Sequence, residues 1–203
     1  MITIINYNAG NLASVKRACD YLNIKSKITS NIKEIINSSK IIFPGVGNAA
    51  TAINFLKQNK LDSAIIEAFN KGIPILGICL GTQIILSFSE EGNTVCLGII
   101  KGQVKKFNLK NKSLKIPHMG WNEIKVLKEH YLFKDIKPFT QMYFVHSYYP
   151  LVDDSSLIVA TCEYEIDFPC AICYKNLFAV QFHPEKSGQA GLSIIKNFAT
   201  WNP

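Results

Sequence analysis

Apolar positions fall into two regimes along the chain. Up to Asn93, short unbroken apolar runs alternate with stretches where apolar side chains recur at helical spacing. Met1–Asn6, Lys40–Phe43 and Ile73–Ile78 are the unbroken runs and predict strands buried on both faces. Leu12, Val15, Cys19 and Leu22 share one helical face, with Asn11 as the N-cap after a turn at Asn8-Ala-Gly-Asn11. Ala49–Gln58, Leu61–Lys71 and Thr82–Phe88 are read as further helices. Strands alternating with helices predict an α/β fold whose sheet is largely parallel and covered on both faces. After Asn93 few helices are predicted. Segments 97–106, 115–126, 141–145, 157–162, 170–174 and 177–182 read as strands, expected as antiparallel additions to the same sheet. Residues 190–200 close the chain as a helix with Leu192, Ile195 and Phe198 on one face. No linker, repeat or biased segment interrupts 1–203, so one domain is expected.

Composition narrows the function classes. Hydrophobic residues make up 48% and charged residues 18%, which excludes a disordered or low-complexity chain. Net charge is +7, yet Arg17 is the only arginine and every other basic residue is lysine. A nucleic-acid reader uses arginine for bidentate contacts and aromatics for stacking. The densest basic stretch, Lys101 to Lys115, contains only Phe107 as an aromatic, so a solvated face is expected and nucleic acid is not. The excess charge could instead attract an anionic substrate or an acidic partner surface. The N-terminus has no basic, apolar leader, and no apolar run approaches a membrane span, so a cytoplasmic location is expected. Six cysteines without a leader do not argue for disulfides. Cys170-Ala-Ile-Cys173 is a lone CxxC and reads as part of a buried strand. The four histidines show no metal-ligand spacing, so neither metal nor cofactor is implied.

Chemistry concentrates at two places. Gly77-Ile78-Cys79-Leu80-Gly81 follows a buried strand and opens a helix, the G-x-nucleophile-x-G arrangement. Such a turn holds the nucleophile in a strained conformation above the C-terminal edge of the sheet, beside the free N–H groups of a helix N-terminus. Of the six cysteines, only Cys79 has this context. Phe178–Phe182 reads as another strand and delivers His183-Pro184-Glu185 to the same edge. Glu185 can bond the imidazole and fix its tautomer, which completes a nucleophile, base and orienter.

GICLGTQ together with FHPEKSG resembles the class I (triad-type) glutamine amidotransferases. The resemblance implies a flavodoxin-like class I glutaminase fold and a Cys79–His183–Glu185 triad that hydrolyses L-glutamine to glutamate and ammonia. Pro44-Gly45-Val46-Gly47, Pro117-His118-Met119-Gly120-Trp121-Asn122 and Tyr143-Phe144-Val145-His146-Ser147-Tyr148 are similar to signatures of one subfamily, the glutaminase subunits of imidazole glycerol phosphate synthase in histidine biosynthesis. The similarity runs from NYNAGN to the last helix. It implies that Gly45, Gln83, Glu91, Ser147 and Tyr148 hold glutamine. It also implies an oxyanion hole from the backbone N–H groups of Leu80 and, after a peptide flip, Val46. Asn11, Trp121, Asn122, Tyr143 and Lys186 match positions near a β/α-barrel cyclase subunit that would receive the ammonia in a heterodimer. Thr82 stands where Met is common, and Asn48-Ala49-Ala50 varies after PGVG; neither removes a chemical group. Three other readings stay open at this point: a paralogue supplying ammonia to a different synthase, a cysteine hydrolase or chaperone-like relative on the same fold, and a non-catalytic binding subunit.

Overall fold

The unbroken apolar runs become the middle of a nine-stranded sheet. The computed structural model describes residues 1–8 and 10–203; Ala9, inside the expected turn, lies outside the described residues. In chain order the elements are β1 (Ile2–Ile5), α1 (Leu12–Tyr21), β2 (Ser26–Thr29), α2 (Ile32–Ile36), β3 (Lys40–Phe43), α3 (Ala49–Gln58), α4 (Leu61–Asn70), β4 (Ile75–Ile78) and α5 (Leu80–Ile84). They continue as β5 (Phe88–Ser89), β6 (Thr94–Val95), β7 (Gly102–Lys106), β8 (His118–Val126), β9 (Thr140–His146), β10 (Tyr148–Val152), β11 (Ile158–Tyr164), β12 (Ile166–Tyr174), β13 (Leu177–Val180) and α6 (Gly188–Thr200).

The large sheet has the order β2-β1-β3-β4-β13-β12-β11-β8-β9. Pairings from β2 through β13 are parallel, and those from β13 to β9 are antiparallel. Each central strand feeds two cores, because successive side chains point to opposite faces. Ile4, Ile42, Leu76, Ile78, Phe178 and Val180 pack on one face with Val15 and Cys19 of α1 and Ile194, Ile195 and Phe198 of α6. Ile5, Ile41, Phe43, Ile75, Leu177 and Ala179 pack on the other, under α2 to α5. That is why these runs carry no polar alternation.

Several expected boundaries shift. The helix expected at Thr82–Phe88 runs Leu80–Ile84, directly from the elbow, and the strand expected from residue 97 begins at Gly102. The later strands do not all join one sheet. β7 and β10 pair with each other and, with β5 and β6, form a separate sheet of order β10-β7-β5-β6. Pro150 hid β10 in the sequence; it is tolerated because β10 is an edge strand. β2 and α2 were also missed, being short and half-exposed, with lysines between the apolar positions. Asn11 does not cap α1: it has φ +72° and makes no side-chain cap bond. Cys170 and Cys173 lie in β12, as read, and burial raises both thiol pKa values, that of Cys173 to about 11. No helix among the described residues is long and apolar enough to cross a membrane.

Candidate active site

β4 and β13 run side by side and parallel, with Ile78 opposite Val180. Each ends at the same edge, so Cys79 and the segment ending in His183 emerge together. Cys79 sits at φ 52°, ψ −107°, a region sparsely populated by L-residues that costs about 1–3 kcal/mol. Its N–H donates to Val180 O at 2.8 Å, and Thr82 Oγ1 donates to the same carbonyl at 2.6 Å. These two bonds pin the elbow to β13. The side chain is almost enclosed: Sγ lies 3.9 Å from Val145 O and accepts from Gln181 Nε2 at 3.6 Å.

His183 and Glu185 meet as expected of a base and its orienter. Nδ1 of His183 lies 2.8 Å from Glu185 Oε1, and both side chains are within 1% of complete burial. The same oxygen accepts from Asn11 Nδ2, so the residue read as a helix cap instead anchors the Glu185 carboxylate. Ser187 Oγ donates to His183 O at 2.7 Å and accepts from Tyr143 N at 2.9 Å, which ties the His183 turn to β9. With Nδ1 committed to the carboxylate, Nε2 is the nitrogen left for Cys79; no other side chain among the described residues bonds it.

Burial alone would make the imidazolium unfavourable. The charge on Cys79 and the Glu185 carboxylate outweigh burial and hold the His183 pKa up at about 10. A histidine in the unfolded chain titrates near ~6.5. A raised native pKa therefore adds stability that is complete below ~6.5 and fades as pH rises through about 10. The melting-temperature gap between wild type and His183→Asn should accordingly narrow from pH 6 to pH 10. A constant gap over that range would show that the protonated ring is not part of the fold's stability.

A pocket of about 280 Å³ opens over the elbow, bounded by Val46, Cys79, Gln83, Glu91, Ser147 and Tyr148 among others. That is the size for one amino acid rather than a nucleotide. Glu91 Oε2 accepts the Ala49 N–H at 2.7 Å, which fixes the carboxylate at the N-terminus of α3, where the helix dipole favours it. Gln83 Nε2 donates to Tyr148 O at 2.8 Å and to Gln181 Oε1 at 3.0 Å, so its carbonyl is what remains for a ligand. Gly45 lies beneath the pocket rather than in its wall: a Cβ there would fall 1.9 Å from the Tyr7 hydroxyl.

The two N–H groups expected to form an oxyanion hole do not point at one spot. Leu80 N–H donates to Gly45 O at 3.3 Å, so the donor at the helix start is already occupied. In a trans peptide C=O and N–H point opposite ways, so the Val46 N–H is aimed away from the same spot. One half-turn of the Gly45–Val46 peptide would clear the first donor and deliver the second. Of the residues expected at a partner face, Trp121 is 54% exposed and meets Tyr143 edge-on at 6.0 Å, while Lys186 Nζ lies 5.6 Å from the centre of the Tyr143 ring. Asn122 is half-buried on the same strand as Trp121, and Asn11 is tied to Glu185.

Sequence reading missed Gln181, His118 and His146 as parts of the site. The available signal for Gln181 was a carboxamide inside the otherwise apolar run Phe178–Phe182. His146 borders the pocket and His118 bonds it, 28 residues away in sequence.

Three comparisons bear on this geometry. Relatives named imidazole glycerol phosphate synthase subunit HisH are 44% identical over 199 residues in Dehalococcoides mccartyi, covering 98% of this chain and 96% of that one. The relative of the same name in Nitrosomonas europaea is 40% identical over 210 residues, covering 100% and 99%. Among solved structures, that of PurLQS from Thermotoga maritima superposes with a TM-score of 0.75 at 18% identity, covering 98% of this chain and 97% of that one. The glutaminase domain of Trypanosoma brucei CTPS, solved with bound acivicin, superposes at 0.61 and 18% identity, covering 100% and 96%. At such identities these two establish the fold, a class I glutaminase fold of flavodoxin-like type. The family model for class-I glutamine amidotransferases matches residues 3–201, which span the elbow, the His183–Glu185 turn and the pocket between them; the chain belongs to the class-I glutamine amidotransferases.

Proposed function

We propose that this chain is the glutaminase subunit of an imidazole glycerol phosphate synthase, releasing ammonia from L-glutamine for a cyclase partner of β/α-barrel type. The observation that carries the chemistry is Cys79, held at positive φ beside a buried His183–Glu185 pair and open to a pocket the size of one amino acid. The near-full-length relatives named HisH support the choice of synthase.

The Cys79 thiolate attacks the carboxamide carbon of glutamine, forming the C–S bond and pushing the carbonyl electrons onto oxygen. The turned Gly45–Val46 peptide and the Leu80 N–H receive that oxyanion. As the C–N bond breaks, His183 gives its proton to the leaving nitrogen and ammonia departs. His183 then takes a proton from water, whose oxygen attacks the thioester; glutamate leaves and the thiolate returns. Glu185 stays ionised throughout and holds the ring. The Leu80 donor bonded to Gly45 O fits a subunit that turns over slowly until its partner docks and the Gly45–Val46 peptide turns. The exposed Trp121 with Tyr143 and Lys186 at the β8–β9 edge supports placing the partner there.

Glutamate release, measured with the chain alone and with a saturating cyclase partner, is the direct test. Release that rises at least about tenfold with the partner is expected; no release in either state would overturn the proposal. Glu91 is assigned to the substrate's α-ammonium. Glu91→Gln keeps the bond to Ala49 N–H possible but removes the charge. It should raise KM for glutamine about tenfold and change kcat less than about threefold. An unchanged KM would remove Glu91 from the binding site.

A further inference from the structure

Cys79 is one end of a continuous buried chain of hydrogen bonds that reaches the β8–β9 edge. Gln181, fully buried, donates from Nε2 to Cys79 Sγ at 3.6 Å and accepts at Oε1 from Gln83 Nε2 at 3.0 Å. Gln83 Nε2 also donates to Tyr148 O at 2.8 Å, and His146 Nδ1 reaches that same carbonyl at 2.7 Å. His146 Nε2 lies 3.0 Å from His118 Nδ1, and His118 Nε2 lies 3.2 Å from Asn122 Nδ2. Asn122 Nδ2 donates in turn to Glu163 O at 2.8 Å, half-exposed beside Trp121.

Donor and acceptor roles are fixed on both sides of the Tyr148 carbonyl, which accepts from His146 on one side and from Gln83 on the other. Burial pushes the His118 pKa down to about 4 and that of His146 to about 3, so both rings are neutral near pH 7, each with one donor and one acceptor. A carbonyl can only accept, so His146 donates from Nδ1 to Tyr148 O and accepts at Nε2 from His118 Nδ1–H. His118 Nε2 must then accept from Asn122. No ring can turn over without breaking two bonds. Packing holds them as well: His118 lies between Phe144 and Tyr164, with ring centres 4.8 Å and 4.0 Å away. Buried networks satisfied along their length act as units, and their members couple.

We propose that Asn122, His118, His146, Gln83 and Gln181, linked through the Tyr148 carbonyl, form a positioning relay that fixes the nucleophile and the glutamine-binding segment relative to the β8–β9 edge. Gln181 and the segment at Tyr148 act directly on the reacting centre. His118 and Asn122 act only through them. A partner seated on the edge beside Trp121 is thereby felt at Cys79 without touching the pocket. Gln181 also places a dipole on the sulfur, a contact separate from the Leu80 N–H bond to Gly45 O.

The inference rests on the glutaminase reading, and its test separates the two. Labelling of Cys79 by the glutamine analogue diazo-oxo-norleucine is timed in the full complex, with partner in excess so that docking is complete. No labelling of wild type would overturn the glutaminase reading itself. With wild type labelled, His118→Phe and Gln181→Leu should each slow labelling about tenfold, and the double variant should be no slower than the slower single. His118→Gln can accept from Asn122 and donate to His146 as the imidazole does, and should restore labelling to within about threefold of wild type. Should His118→Phe fail to fold, Asn122→Ala at the outer end takes its place with the same expectation. A wild-type labelling rate in the His118 or Asn122 variant, no rescue by His118→Gln, or losses that multiply in the double variant would each overturn the relay.

Discussion

Cys79→Ala lowers glutamine-dependent turnover by about 10⁴-fold or more, since removing the nucleophile of a triad costs that much. Ammonia-dependent turnover by the complex is expected to stay at the wild-type level. No substitute nucleophile stands in the pocket. Of the other cysteines, burial raises the pKa of Cys96 to about 11 and of Cys162 to about 12, and raises those of Cys19, Cys170 and Cys173, so all five remain protonated thiols. Ser147 borders the pocket but has no histidine bonded to its hydroxyl. The variant should still fold. Alanine is no better suited than cysteine to φ 52°, so the strain at the elbow is unchanged. The main loss is the acceptor for Gln181 Nε2, and a buried donor left without a partner costs about 1–3 kcal/mol. Glutamate release and a thermal melt on the same sample check both halves. Glutamine hydrolysis persisting in a folded Cys79→Ala chain would sink the mechanism.

What the sequence revealed follows from which signals are local. Strands buried on both faces, such as Ile75–Ile78, must be unbroken apolar runs, and a nucleophile at a strand-to-helix turn needs its small neighbours within a few residues. Both were legible. So was the His183–Glu185 contact, because its two partners are two residues apart on one turn. β5, β6 and β10 were not, since two-residue strands have no period and Pro150 argues against a strand unless its edge position is known. Asn11 was misread because asparagine before an apolar helix has the same pattern whether its amide caps the helix or reaches Glu185, 174 residues away. The blocked Leu80 donor could not be read at all. The orientation of one peptide decides whether Gly45 O meets the Leu80 N–H, and no residue pattern encodes it. The relay from Asn122 to Gln181 joins four separate stretches of chain, so it has no spacing to detect.

Gly81→Ala is expected to cost about 3 kcal/mol or more and to abolish glutaminase activity, whereas Gly77→Ala should shift stability by less than about 1 kcal/mol. In sequence the two glycines flank Cys79 symmetrically. In the structure their surroundings differ. A Cβ on Gly81 would lie 1.9 Å from Phe43 O and 3.0 Å from Phe43 C, both main-chain atoms at the end of β3. No rotamer change relieves that contact: α5 and β3 must separate by about the overlap, on the order of 1 Å given ordinary contact distances. Leu80, whose N–H is the proposed oxyanion donor, and Cys79 itself stand on the segment that would move. A shift of that size at a catalytic group costs about 10²-fold in rate even where the protein stays folded. A Cβ on Gly77 would instead meet Ala179 Cβ at 3.2 Å, with Gly81 C and Thr82 N at 3.5 Å. Here a few tenths of an ångström between adjacent strands suffices, and the smaller backbone entropy of alanine in the unfolded chain offsets part of the strain. Thermal melts of the two variants, with glutamate release in the presence of partner, separate the cases. Equal destabilisation would mean that the tight approach of α5 to Phe43 does not control the elbow. A Gly81→Ala chain with wild-type turnover would show that the Leu80 donor need not be held where β3 now fixes it.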